Sequence, residues 1–125
     1  MNKKEVVYLS GRMTGLPEYN YPAFFALEDK IKELANSDVD VVNPANVGEQ
    51  EGWEFKDYLT RCLLDMLQLG VNKVVTLDGW ELSKGARLEV HVAKELGIPV
   101  VHYDTYLHSL QLRTSSLSLA DNIEW

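Results

Sequence analysis

The feature that most constrains this chain is an alternation, repeated four times, of a short β-branched run with an amphipathic segment on short connections. Val6-Val7-Tyr8-Leu9 reads as a buried strand stopped at Ser10-Gly11. After a loop holding Gly11, Gly15 and Pro17, Tyr21-Pro22 opens a helix whose Phe24, Leu27, Ile31 and Leu34 recur at helical spacing. Val39-Asp40-Val41-Val42 is a second strand, closed by Asn43-Pro44. Trp53 to Leu69 reads as a second helix with Phe55, Leu59, Leu63, Met66 and Leu67 inward. Lys73 to Leu77 is a third strand, and Ser83 to Leu96 a third helix with Gly97 beyond its end. Ile98 to His102 is a fourth strand. Such alternation is the pattern of right-handed βαβ units, hence a three-layer α/β fold of the Rossmann or flavodoxin type with a four- to five-stranded parallel sheet.

At 125 residues the chain is one domain, with a core over 5–102. The tail, 103–125, is expected to add one more helix or strand or to dock on a partner subunit. The single cysteine, Cys62, excludes an internal disulfide. A polar start and apolar runs far shorter than a membrane span place the protein in the cytoplasm. With 12 basic against 19 acidic residues the net charge is -7, which argues against nucleic acid polymers and anionic membranes as partners. A small anion remains possible, because backbone N–H groups at a helix start bind phosphate without basic side chains.

In open α/β sheets ligands bind beyond the carboxyl ends of the strands. The richest segment there is Gly79-Trp80-Glu81-Leu82-Ser83-Lys84-Gly85-Ala86-Arg87-Leu88-Glu89. Ser83 suits an N-cap, and Gly85 and Ala86 leave the first helical turn open to an approaching phosphate. Glu89, about 9 Å further along the axis, shares a face with Gly85 and Ala86, so the pair could bracket a pentose phosphate. The same residues also read as plain capping, with Glu89 a solvated side chain paired with Arg87 or Lys84. In the first loop Tyr8, Ser10, Arg12 and Thr14 offer hydrogen bonds, and Arg12 suits a phosphate; an ordinary βα connection explains them equally. His91, His102 and His108 lack metal-like spacing, so no metal is expected. Cys62 reads as a buried filler. Asp57, Asp65 and Asp78 are candidates for a second carboxylate. Trp53 and Trp80 could stack on a base, although packing is the commoner role of tryptophan.

Taken in order, Tyr8-Leu9-Ser10-Gly11-Arg12-Met13-Thr14-Gly15, Asn20-Tyr21-Pro22-Ala23-Phe24, Val42-Asn43-Pro44-Ala45 and the Gly79–Glu89 segment resemble a branch of small phage and prophage proteins. That branch is related to nucleoside 2-deoxyribosyltransferases and to 2′-deoxynucleoside 5′-phosphate N-hydrolases. The resemblance implies an N-glycosidase or deoxyribosyltransferase acting on a small nucleoside or nucleoside 5′-monophosphate. Glu89 would be the nucleophile, Tyr8 its partner, and the Arg12–Thr14 region with Ser83, Lys84 and Gly85 the phosphate contacts. Relatives carry Arg-Asp-Leu where this chain has Arg61-Cys62-Leu63, so Asp65, one turn later, becomes the substitute acid. The segment Leu69–Asn72 is about two residues longer than usual. The expected site is therefore Glu89, Tyr8 and Asp65 for chemistry. Ser10, Gly11, Arg12, Thr14, Asn43, Asp78, Gly79, Trp80, Ser83 and Gly85 would hold substrate, and no cofactor is implied. The resemblance also implies a homodimer or higher homo-oligomer in which a neighbour's tail, notably Asp121-Asn122, completes the site. A nucleotide sensor or sequestering protein of the same fold is the alternative.

Overall fold

The computed structural model describes residues 4–122, with side chains through Arg113. Four parallel strands, β1 (Glu5–Ser10), β2 (Val39–Val42), β3 (Lys73–Thr76) and β4 (Val100–His102), form one sheet in the order β2-β1-β3-β4. Helices α1 (Tyr21–Ala35), α2 (Phe55–Gln68), α3 (Lys84–Glu95) and α4 (Tyr103–Asn122) complete an α/β fold consistent with the Rossmann or flavodoxin type. The strand order reverses between β1 and β3, so the crevice beyond their carboxyl ends is the topological switch point.

The two-residue period of β1 divides the molecule into two cores. Val7 and Leu9 point to one face, where they pack with Val75, with Phe24, Leu27 and Ile31 of α1, and with Tyr106 and Leu110 of α4. Tyr8 points to the other, among Val74, Met66 of α2 and Ala93 of α3. Each of the fully buried Val, Leu, Ile, Phe and Met side chains among these contributes about 1.5–3 kcal/mol of apolar transfer. On the first helix Ala35 is buried as well, and Leu34 packs at the edge of the same cluster.

The tail is the helix α4. Its first turns are held by Glu5, which accepts from the Tyr106 hydroxyl at 2.9 Å and pairs with Lys73 at 2.8 Å. Burial alone would raise the Glu5 carboxyl; Lys73 and Tyr106 outweigh it and hold the group below its ordinary range. Asp121 and Asn122 close the helix, and their side chains lie outside the described residues. Helix α2 departs from expectation in its roll: Met66 is buried, but Phe55 and Leu67 are exposed rather than inward. No helix among the described residues is long and apolar enough to cross a membrane.

Candidate functional site

Tyr8 and Ser10 are two residues apart on β1 and therefore face the same side, toward α3. Glu89, on the inner face of α3, lies over them and is only 7% exposed. The Tyr8 hydroxyl donates to Oε2 at 2.6 Å and the Ser10 hydroxyl to Oε1 at 2.8 Å. Each carboxylate oxygen is thus held by one neutral donor. Burial pushes the Glu89 carboxyl up to about 7, against the downward pull of the Tyr8 and Ser10 hydrogen bonds. The Tyr8 phenol is itself raised, first by burial and then by the Glu89 charge, so it acts as a proton-holding donor. The Cys62 thiol interacts with the same hydroxyl. It is pushed up to about 11, chiefly by burial and next by Glu89.

Glu89 forms part of the wall of a cavity of about 400 Å³, the size of small-molecule sites generally. The β1–α1 segment supplies Gly11, Met13, Thr14, Tyr19 and Tyr21, and the loop after β2 supplies Pro44, Val47, Gly48 and Glu49. Trp53, Phe55, Tyr58, Leu59 and Cys62 come from the start and inner face of α2, and Ser83, Gly85 and Ala86 from the start of α3. The wall around Tyr19 is built unusually. Glu18, Tyr19 and Asn20 adopt left-handed backbone in succession, with φ of 52°, 53° and 61°. Each such non-glycine residue costs roughly 1–2 kcal/mol. The Asn20 side chain ties the segment back by donating to the Arg12 carbonyl at 3.0 Å. Strain of this kind concentrates at functional sites.

At the start of α3, Ser83 Oγ accepts from the Ala86 N–H at 3.1 Å, the cap expected from sequence. The Lys84 and Gly85 amides, in the first turn, have no intrahelical acceptor by position. Lys84 Nζ sits 5.5 Å over the Phe55 ring, and Arg87 donates to the Glu81 carbonyl at 2.9 Å. Neither cation pairs with Glu89, which sets aside the solvated ion-pair reading of that residue.

The model of a domain of unknown function, DUF4406, matches residues 5–102. The chain belongs to that family. No curated protein and no solved structure matches it.

In this DUF4406 chain the expected site residues divide into two groups. Gly11, Thr14, Ser83, Gly85 and Glu89 line the cavity, with Tyr8 and Ser10 directly behind the carboxylate. Arg12, Asn43, Asp65, Asp78, Gly79 and Trp80 do not line it. Arg12 folds onto its own loop, Nε donating to the Thr14 carbonyl at 3.4 Å. Asn43 is buried and braces a corner: its amide group donates to Glu28 at 2.9 Å and its oxygen accepts from the Ala45 N–H at 2.9 Å. Asp65 is engaged by Arg61 at 3.2 Å on the flank of α2. Asp78 turns toward β4, accepting from His102 at 2.7 Å and from the Tyr103 hydroxyl at 3.3 Å. Of the two tryptophans weighed for stacking, Trp53 lines the cavity and Trp80 begins a turn outside it. Among the described residues no group of three His, Cys, Asp or Glu side chains gathers as a metal site.

Sequence reasoning overlooked Tyr19, Tyr21, Tyr58 and Glu49, and took Phe55 and Cys62 as packing residues. The aromatic density of 53–58 beside the polar stretch 45–52 was the available signal for this wall.

Proposed function

We propose that this DUF4406 chain is an N-glycosidase or deoxyribosyltransferase of small nucleosides or nucleoside 5′-monophosphates, in the cytoplasm, with Glu89 as the nucleophile. The observation that carries this reading is a buried carboxylate on a cavity wall with each oxygen fixed by a hydroxyl, at 2.6 and 2.8 Å. Those contacts hold the carboxylate in one orientation, as covalent catalysis requires. In the first step a Glu89 oxygen bonds to the anomeric carbon while the C–N bond breaks. The base leaves with the electron pair and takes a proton from solvent. Water then attacks the anomeric carbon of the ester, releasing sugar, a regenerated carboxylate and a proton. In a transferase a second base attacks instead, giving a new nucleoside. The retained configuration follows from two displacements at one centre. Tyr8 and Ser10 take up the charge that returns to Glu89, and the amides of Lys84 and Gly85 suit a 5′-phosphate. Release of free base from a panel of ribo- and deoxynucleosides and their monophosphates, read by chromatography, tests the reading. Turnover is expected for the wild type and its loss in Glu89→Gln; equal activity in that variant overturns it.

A second reading, a nucleotide-binding protein without turnover, is favoured by one specific observation. Where a second acid would protonate the leaving base, the cavity presents the neutral thiol of Cys62, and Asp65 is held by Arg61 outside the lining. Stabilisation by a nucleotide with no product would support it.

A further inference from the structure

Glu89 is a buried carboxylate whose two hydrogen-bond partners, the Tyr8 and Ser10 hydroxyls, are neutral. Buried charges are ordinarily paired, yet among the described residues no Lys, Arg or His forms an ion pair with it. The cavity lining repeats the imbalance: its charged side chains are Glu89 and Glu49, with no Lys, Arg or His. Lys84, beside the lining, sits over the Phe55 ring instead, its Nζ 5.5 Å from the centroid. Five aromatic side chains share this lining, Tyr19 and Tyr21 at the start of α1 and Trp53, Phe55 and Tyr58 around the start of α2. The Tyr19 and Tyr21 centroids are 5.7 Å apart with tilted rings, and those of Trp53 and Tyr58 are 5.0 Å apart, edge to face. Aromatic faces attract cations. Proton donors are also scarce. The Tyr8 hydroxyl gives its proton to Glu89, and the Tyr58 hydroxyl donates to the Gln50 carbonyl at 3.3 Å. Cys62 keeps its proton, the thiol pushed up to about 11 chiefly by burial and next by Glu89. The cavity is therefore rich in aromatic faces and poor in both cations and acids.

We propose that the substrate class is nucleosides whose base is positively charged while attached, of the pyridinium type, taken up by the aromatic lining with Glu89 as the counter-charge. This rests on the N-glycosidase reading for the identity of the ligand as a nucleoside. A neutral base leaves best with a proton from a positioned acid. The thiol and phenols that make up most of the titratable groups of this lining are weak acids. A pyridinium base needs no acid. A Glu89 oxygen bonds to the anomeric carbon, the C–N bond breaks, and its electron pair stays on the ring nitrogen. That pair cancels the positive charge, and a neutral pyridine is freed. Water then attacks the anomeric carbon of the ester, giving the sugar, the Glu89 carboxylate and one proton. Before the reaction the cation supplies the partner that Glu89 lacks. Once the bond is broken the charge is gone, so the free base is held more loosely than the nucleoside.

The test uses the carbocyclic analogue of the nicotinamide ribonucleoside, in which a cyclopentane replaces the sugar ring and no glycosidic bond can break. Its uncharged 1,4-dihydro form, nearly the same shape, is the control. Calorimetry with the full chain at pH 8, above the value of about 7 to which burial pushes the Glu89 carboxyl, measures both affinities. The cation is expected to bind at least about tenfold more tightly, the scale of one desolvated cation–aromatic contact. In Glu89→Gln that ratio should drop below about threefold, since the amide carries no charge. Trp53→Leu, at an exposed position, should lower it at least about twofold and guards against a folding defect in the first variant. A ratio near one in the wild type, no binding of either form, or a ratio that neither variant lowers would each overturn the assignment. Release of nicotinamide from the cleavable nucleoside is scored separately, beside release of base from neutral nucleosides. A charge preference without release of any base leaves the assignment standing and removes the glycosidase reading. Release of neutral bases with no preference for the cation does the reverse.

Discussion

The Tyr8 hydroxyl lies 2.6 Å from Oε2 of Glu89, and both groups are buried. Each needs the other: the phenol has no water to donate to, and the carboxylate has lost its hydration. Their relationship decides when Glu89 carries charge. Burial raises the carboxyl to about 7, and the Tyr8 bond is the first of two contacts that oppose this. Replacing Tyr8 with phenylalanine removes that stabilisation of the charged form. A hydrogen bond to a charged group is worth about 1.5–3 kcal/mol, so the Glu89 carboxyl should move up by about 1–2 units. The expected outcome is an acid limb of kcat/KM displaced to higher pH in Tyr8→Phe. NMR titration of the labelled Glu89 carboxyl checks the shift independently of activity.

The same carboxylate should burden the fold. Its folded pKa of about 7 lies above the ordinary value of 4.5, so between these values the native state binds more protons than the unfolded one. Stability therefore falls as pH rises through that window and is flat above it. The displacement corresponds to a cost of up to about 3 kcal/mol. Glutamine at 89 carries no charge, and both hydroxyls can still bond to its amide. Glu89→Gln should be more stable than wild type at pH 8, with the gap closing toward pH 5. Urea unfolding at both pH values measures it.

How far the sequence revealed this arrangement depends on which physical signal each part left. The four strands and the α1 and α3 helices were legible because β-branched runs and three- and four-residue apolar spacing are local signals. Glu89 was legible for a related reason: a cap at Ser83, small residues at 85 and 86, and a carboxylate one turn beyond them share a helix face. Tyr8 and Ser10 follow from the strand period. Asp65 and Asp78 lie outside the cavity lining because their partners, Arg61 and His102, decide where they point, and pairing is set by tertiary placement. The roll of α2 was equally hidden, since Leu64, Leu67 and Leu69 make its exposed side almost as apolar as the buried one. The left-handed turn at Glu18–Asn20 left no mark, because no glycine announces it.

Two glycines that look alike in sequence should behave oppositely. A Cβ on Gly11 would lie 2.9 Å from the Leu77 Cβ and 3.2 Å from Phe24 Cζ. Both neighbours belong to the core, so Gly11→Ala should destabilise by about 1–3 kcal/mol. A Cβ on Gly85 would meet the Phe55 ring at 3.5 Å, ordinary contact, and its backbone is helical. Gly85→Ala should leave stability within about 0.5 kcal/mol of wild type. Its methyl would crowd the amides at the start of α3, so nucleotide affinity should fall several-fold. Urea titration alongside calorimetric binding separates the two effects.

Cys62 supplies a probe of the charge on Glu89. Its thiol is raised to about 11, first by burial and then by the Glu89 carboxylate. The thiolate is the species that reacts with alkylating agents. At pH 8 the fraction ionised is then about two orders of magnitude below that of a free thiol of pKa about 8.5. Iodoacetamide labelling of the native protein, followed by mass spectrometry, should be correspondingly slow and should accelerate on unfolding. Glu89→Gln removes the neighbouring charge while leaving the burial, so native labelling should quicken in that variant. Fast labelling of the wild type at neutral pH would mean that the thiol is ionised. An unchanged rate in Glu89→Gln would mean that the carboxylate does not act on Cys62, and the electrostatic link between Glu89 and α2 would be lost.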